Sequence, residues 1–493
     1  MPNYTKILVR GTGWLLFASI LAALLGYVLR VVLARNLSIE DYGLFYAVFA
    51  LVGLLASFRG FGIGQALMKY IPEFKIKKDF SSIKKGIIYY FFVQLITYGL
   101  LLVGIFLLAE RFALYYFKDI KAVQLLVVLG LAFLFAIFES LFHVLFLGYK
   151  KMNYYAFTHF FQMSLVVLIT IILFYLGFGY LSPAYAYLFA SILSGIVYFL
   201  LFSKLSPKTV KAKSSVDFKL FKKLTLFGFP LTISAVVASS VGYIDTLLIT
   251  FFIGLKEVAL YNVALPIAMM LRQFAKSVSL VLIPLSSEIY LQKKEVLIDG
   301  IKRVQKYLLI VVFPLSLGMV FFAPLIILLF FGENYIGATS TLRILSFSAV
   351  FYCVAYVNAN ILLGIGKSKI NAKIMAGGSI FALILNLILI PFYGILGAGL
   401  SLFFASLLMF FVSFYYLKKI IKYNFPAILF VKLFVLGFLF LILCGALRKM
   451  PIINPWIEFV VIGLIGLIFY FVGLFLFRLI SFEEVRDLLK RVA

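Results

Sequence analysis

Fourteen apolar stretches of about twenty residues each, broken only by short charged or turn-rich segments, run through this chain. They fall near 12–34, 43–66, 86–109, 122–148, 155–177, 181–203, 224–252, 258–285, 307–331, 338–363, 372–393, 395–417, 427–447 and 456–477. A helix needs about 20 predominantly apolar residues to cross the hydrocarbon core of a bilayer, so each stretch is expected to be one transmembrane helix. Barrel strands would instead alternate apolar and polar residues over about ten positions, which these continuous runs exclude. The expected fold class is therefore all-α and polytopic. The longest breaks, near 204–221 and 286–306, are too short to form a soluble domain. Composition agrees, with 65% of residues hydrophobic and 13% charged, against about half apolar in a soluble chain.

A formal charge of +27 raises the question of nucleic acid, and the distribution of the charge answers it. Lys75, Lys77, Lys78, Lys84 and Lys85, then Lys208, Lys211, Lys213, Lys219, Lys222 and Lys223, cluster in even-numbered loops or at their edges, while odd-numbered loops hold few cations. That is the positive-inside bias of a multi-pass protein, and it puts both termini in the cytoplasm. No nucleic-acid partner is expected. No signal-peptide cleavage pattern follows Lys6 and Arg10, so the first span reads as a retained anchor. Cys353 and Cys444 lie in separate spans and support neither a metal site nor a disulfide framework.

Transporters are commonly built from repeats, and one offset recurs here, 216 residues. Gly26-Tyr27-Val28 matches Gly242-Tyr243-Ile244, Phe146-Leu147-Gly148 matches Leu362-Leu363-Gly364, and Ala156 matches Ala372. Near the sixth span the register drifts by one, Ala190-Ser191 pairing with Ala405-Ser406. The expected organisation is a six-helix lobe over 1–203, a basic cytoplasmic linker over 204–221, a second six-helix lobe over 222–418, and two further helices with a short tail over 419–493. The linker lysines suit anionic lipid headgroups.

Charged side chains deep in a bilayer cost several kcal/mol, so those that persist usually face a bundle interior or a wet cavity. Here they are Arg30, Arg59, Glu139, His143 and His159 in the first lobe, and Asp245, Arg272, Lys276 and Arg343 in the second. Arg272 and Lys276 are one turn apart on one helix face, where an anion between them would relieve their repulsion. Arg59 falls at the repeat equivalent of Ala275, so cations stand at similar heights in both lobes. Guanidinium groups present paired donors that suit a diphosphate. The alternative is internal pairing, Arg59 with Glu139 and Arg272 with Asp245, with Arg30 and Arg343 snorkelling to headgroups. Asp245, with Ser239, Ser240 and Thr246 nearby, is a candidate site for Na⁺ or a proton. Gly364-Ile365-Gly366-Lys367-Ser368 ends like a phosphate-binding loop, but Ile361 stands where the motif needs glycine. No arrangement for glycosyl transfer or hydrolysis is present, so no enzyme activity is expected.

The run from Leu24 to Phe74, LLGYVLRVVLARNLSIEDYGLFYAVFALVGLLASFRGFGIGQALMKYIPEF, resembles the opening of the Wzx-type polysaccharide transporters of the multidrug/oligosaccharidyl-lipid/polysaccharide exporter (MOP) superfamily. FLGYKKMNYYA (146–156), LLGIGKSKINA (362–372) and NLILIPFYGILGAGLS (386–401) look like later signatures, and the Tyr42-Gly43 turn is the most specific element. The resemblance implies two six-helix lobes around a cavity, moving a polyprenyl-diphosphate-linked oligosaccharide from the cytoplasmic to the outer leaflet of a prokaryotic cell membrane by alternating access. Arg30, Arg59 and Arg272 look like the cavity arginines of the related lipid II flippases. Asp245, Asn386 and Ser401 resemble that branch's sodium site, although an acidic ligand expected in the eleventh span is missing. The implied protein is a monomer among membrane lipids, working beside glycan assembly enzymes. A cation-coupled multidrug exporter of the same superfamily is the alternative, and the cationic excess argues against it. A membrane-embedded polymerase or ligase would need a larger outer loop.

Overall fold

The computed structural model describes residues 21–58, 60–292, 294–449, 454–481 and 484; the side chains of 230–241, 280, 281, 284, 291, 292 and 294 lie outside that description. The described residues are predominantly helical, with no strand among them. A first helix, α1, runs over 21–36. It is followed by α2 (Ile39–Ser57), α3 (Ile63–Ile76), α4 (Phe80–Arg111), α5 (Ala122–Gly148), α6 (Met152–Tyr175), α7 (Ser182–Leu205) and the short α8 (Pro207–Lys211). Then come α9 (Phe218–Phe252), α10 (Leu255–Gln292), α11 (Lys294–Phe330), α12 (Thr339–Gly364), α13 (Ser368–Ile421), α14 (Ala427–Leu447) and α15 (Pro455–Leu476). Eleven segments among the described residues are long and apolar enough to cross a membrane. One of them, α13, holds two of the expected spans, divided at Gly394, whose φ of 57° and ψ of −135° are not helical.

Three sequence expectations are corrected. The apolar run 43–66 is not one helix: α2 ends at Ser57 and α3 starts at Ile63, with Phe61 and Gly62 at φ of 38° and 71°. The positive φ at Gly62 costs little only because glycine lacks a Cβ. The Tyr42-Gly43 pair is not a turn but lies in the first turns of α2, which Ser38 caps by accepting from the Asp41 N–H at 3.1 Å. Gly43 is small there because the Leu255 carbonyl lies where its Cβ would stand. The break expected over 286–306 is largely helical, belonging to the ends of α10 and α11.

Element boundaries keep the repeat register. The starts of α2 and α10 (39 and 255), the ends of α5 and α12 (148 and 364) and the starts of α6 and α13 (152 and 368) each differ by 216. Lys150 and Gly366, also 216 apart, both take positive φ, 57° and 83°, in the turns that follow.

The chain forms two compact units, the first ending at Ala259 and the second beginning at Leu260. In the first, α5 packs on α7, α4, α3 and α2, and α9 packs along α2 and α3. Gly53 lets the Tyr243 ring approach α2, and Tyr116 donates to the Leu247 carbonyl at 2.7 Å. In the second, α12 packs on α11 and α13, and α14 and α15 pair with each other and with α11.

The linker is tied to the start of α4. Lys84 donates to the carbonyls of Val210 and Ala212 at 2.7 and 2.8 Å, and Ser81 to that of Lys213 at 2.9 Å. Lys208, Lys211, Lys213 and Lys219 remain exposed. Asp79 and Asp217 cap α4 and α9 by accepting from the Ser82 and Leu220 N–H groups at 2.9 and 3.1 Å. These bonds hold both carboxyls below their ordinary range, the contact with Ser82 contributing most at Asp79 and that with the Leu220 N–H at Asp217. A depressed carboxyl stabilises the fold above its unfolded pKa, and that contribution disappears as pH falls through the folded value. Asp79→Ala should therefore cost about 1 kcal/mol at neutral pH and progressively less below about pH 4, read as a melting-temperature difference between wild type and variant that closes on acidification.

Candidate functional site

Each unit carries its own polar set. In the first, Arg30 projects from α1 and its guanidinium carbon lies 4.3 Å from the centre of the Tyr46 ring on α2, with the Tyr42 hydroxyl beside it. This is an inward, aromatic-braced arrangement rather than a snorkelling one. Tyr187 of α7 continues the aromatic shelf, 5.2 Å from Phe49 and 6.4 Å from Phe45 between ring centres, and it lies within electrostatic range of both Arg30 and Glu139.

Glu139 is 7% exposed, and Gln162 Nε2 on α6 donates to its Oε2. His143, one turn along α5, stands with Nε2 3.8 Å from Glu139 Oε1 and stacks on His159 of α6. The structure thus brings together the three predicted residues Glu139, His143 and His159. Asp245 of α9 is buried, with Thr246 and Thr250, and the Thr250 hydroxyl donates to the Thr246 carbonyl at 2.7 Å. Arg59 and the side chains of Ser239 and Ser240 lie outside the described residues.

In the second unit the Arg272 guanidinium lies 4.3 Å from the Tyr352 ring centre. Its Nε is buried and makes no hydrogen bond, and among the described residues of this unit no carboxylate is within ion-pair distance. Lys276, one turn further, is exposed. Arg343 is exposed as well and spends Nε on the Val320 carbonyl at 3.2 Å, bracing α12 to α11. Asn386 and Ser401 are buried on the two halves of α13, with the Ser401 hydroxyl donating to Gly397 at 2.8 Å. Sequence reading missed Tyr46, Tyr187, Gln162 and Tyr352, which hold the charges in place. Tyrosine is so abundant, 30 in the chain, that no single one stood out, whereas Gln162, a lone amide in an apolar span, carried a usable signal.

Comparison with solved structures places this architecture. Lipid II flippase MurJ in its inward closed conformation superposes with a TM-score of 0.75 at 19% identity, covering 94% of this chain and 98% of that one. An inward-facing multidrug resistance MATE family transporter of the MOP superfamily gives 0.67 at 17% identity, over 80% and 94%. The fold is that of the MOP-superfamily membrane transporters. The sequence profile of the family described as Polysaccharide biosynthesis protein matches residues 8–290, and a MatE profile matches 230–388. A membrane protein of Methanocaldococcus jannaschii is 30% identical over 99% of both chains. Capsular polysaccharide biosynthesis protein CapF of Staphylococcus aureus is 24% identical over 41% of this chain and 51% of its own, and a protein named as an O-antigen transporter of Shigella flexneri is 27% identical over 44% and 54%. The chain belongs to the polysaccharide biosynthesis protein family.

Proposed function

We propose that this protein is a flippase that carries a polyprenyl-diphosphate-linked oligosaccharide from the cytoplasmic to the outer leaflet of a prokaryotic cell membrane, both termini being cytoplasmic. It acts as a transporter rather than an enzyme, driven by a coupling ion, Na⁺ or H⁺, and works as a monomer that receives its substrate from glycan assembly enzymes. The observation that carries this reading is Arg272: a guanidinium within a membrane span, braced by Tyr352 and with no carboxylate within ion-pair distance among the described residues of its own unit, is a cation kept for an anion brought from outside. Arg30, held on Tyr46, is its counterpart in the first unit. Lys276, one turn from Arg272, adds positive charge, and Arg59 and Arg343 complete the proposed diphosphate-binding set. The membership in a polysaccharide biosynthesis family supports the glycan-lipid substrate.

The test is movement of a fluorescent polyprenyl-diphosphate oligosaccharide between leaflets of proteoliposomes. Hydrogen bonds to charged groups contribute about 1.5–3 kcal/mol each, so Arg30→Ala/Arg272→Ala should slow transport at least about 100-fold, at 1.4 kcal/mol per tenfold. Arg30→Lys/Arg272→Lys should recover only part, because an ammonium lacks the paired donors. Unchanged transport in the double alanine variant would overturn the site, and efflux of organic cations without lipid movement would favour a multidrug exporter, which the MatE match makes the second reading.

A further inference from the structure

The 493-residue chain contains two histidines, and they lie against each other inside the first unit. The rings of His143 on α5 and His159 on α6 stack with centroids 4.6 Å apart and planes 17° from parallel. Glu139 is one helical turn before His143, while Tyr155, His159 and Gln162 share one face of α6. Gln162 donates to Glu139 Oε2, and Tyr155 hydrogen-bonds His159 Nε2 at 3.1 Å. His143 Nε2 is buried without a hydrogen bond, 3.8 Å from the other carboxylate oxygen. One small rotation or one water closes that gap.

The second copy of the repeat shows that the scaffold does not need these groups for packing. Glu139, His143, His159 and Gln162 correspond at the 216-residue offset to Ala355, Ala359, Met375 and Gly378. Ala355 and Ala359 are fully buried, and the Met409 side chain fills the space beside Gly378. Where the second unit closes the joint with small apolar residues, the first unit installs a carboxylate, two imidazoles and an amide. Buried ionisable groups in a membrane span are expensive and are retained mainly for ion and proton pathways.

We propose that Glu139, His143 and His159 form a proton-binding site that takes up and releases one proton in each transport cycle, which makes H⁺ the coupling ion. The coupling role rests on the flippase reading; the proton site does not. On binding, a proton from the aqueous phase forms one O–H bond at Glu139 Oε1 or one N–H bond at His143 Nε2, and the cluster passes from net charge −1 to 0. A second proton is resisted, because it would have to join a cluster whose negative charge the first has already neutralised.

Several tyrosines stand on the helices packed against α5 and α6. From α4 come Tyr90, bonded to Ser140, and Tyr98, bonded to the Gly130 carbonyl. From α7 come Tyr198, which donates to the Thr158 carbonyl, and Tyr187. From α3 comes Tyr70, whose ring is taken by Lys69 and Lys223, and from α2 come Tyr42 and Tyr46, taken by Arg30. Tyr187 lies within electrostatic range of both Glu139 and Arg30, a member of the proposed diphosphate set.

With two histidines in the chain, protein labelled with ¹⁵N-histidine reports on this site alone. In nanodiscs without substrate, titration between about pH 4 and pH 9 should shift the ring signals of both histidines together, and Glu139→Gln should lower that transition by about one pH unit or more, since it removes the neighbouring charge. Signals that do not titrate, or that titrate identically in Glu139→Gln and wild type, would overturn the proton site. Should Glu139→Gln fail to fold, His159→Phe keeps the stacked ring, and the His143 transition should then rise; an unmoved transition would overturn the proposal. In proteoliposomes carrying the fluorescent lipid, a pH gradient should accelerate wild-type movement about tenfold and leave Glu139→Gln unaffected. Wild-type movement indifferent to the gradient would overturn the coupling. No lipid movement at all by wild type would overturn the flippase reading instead, and the titration alone would then decide the proton site.

Discussion

Replacing Gly62 by alanine is expected to destabilise the first unit by about 3 kcal/mol or more, and Gly228→Ala by nearly as much. Gly62 and Gly228 meet backbone to backbone where the turn between α2 and α3 touches α9, and a Cβ on either glycine would fall within the main chain of the other. Backbone cannot rotate aside as the end of a side chain can, so the helices must separate and the contacts along α2, α3 and α9 loosen with them. Gly62 bears a second penalty, because its φ of 71° is left-handed and an L side chain there adds about 1–2 kcal/mol. Gly99 and Gly104 on α4 are the controls: nothing lies within 4 Å of a Cβ at either, so alanine there should be neutral or stabilising by about 0.5–1 kcal/mol. Thermal denaturation in detergent, followed by the loss of the monodisperse peak, measures all four. A Gly62→Ala protein that melts with wild type would show that α9 does not pack against this turn.

In the second unit the largest loss should come from a buried amide network. Tyr423 donates to Gln305 Oε1 at 2.7 Å, Gln305 Nε2 to Asn358 Oδ1 at 2.6 Å, and Asn358 Nδ2 to Ser413 Oγ at 3.0 Å. All four residues are at most 1% exposed, and they join α11, α12, α13 and the segment leading to α14. Asn358→Leu leaves the Gln305 amide buried without its acceptor, which costs about 1–3 kcal/mol, and adds about 1–3 kcal/mol for a branched side chain in an amide's space. Adding Gln305→Leu should cost much less than the sum of the two single changes, because the orphaned donor is then gone. A strictly additive double variant would show that the two amides do not act as one network.

Much of the architecture was legible before any coordinates. Hydropathy located the spans, including the division of the long α13 helix, because the cost of exposing a peptide group to lipid leaves few alternatives to a helix. The duplication was legible as well, and the register seen in residue matches reappears in the boundaries of α2, α5 and α6 and their counterparts. The break after Ser57 was missed although Gly60 and Gly62 mark it, because the apolar runs on both sides outweigh two glycines when hydropathy is averaged over a span. The role of Gly43 was hidden for another reason: it is small because of Leu255, more than 200 residues away in sequence.

The candidate site divides the same way. That Glu139, His143, His159, Asp245 and Arg272 stand in apolar helices was legible from their positions in apolar runs. Which of them meet did not follow. Charge alone did not point to Gln162 as a partner of Glu139, and the two histidines found each other through the facing of α5 and α6. Sequence alone thus determined the solvent, the helices, the repeat and the cationic excess, all of which depend on local composition or on comparing the chain with itself. Tertiary structure alone decided the partners, because a side chain's neighbour is set by the rotation and tilt of two packed helices, and those angles are fixed by contacts between residues far apart in sequence.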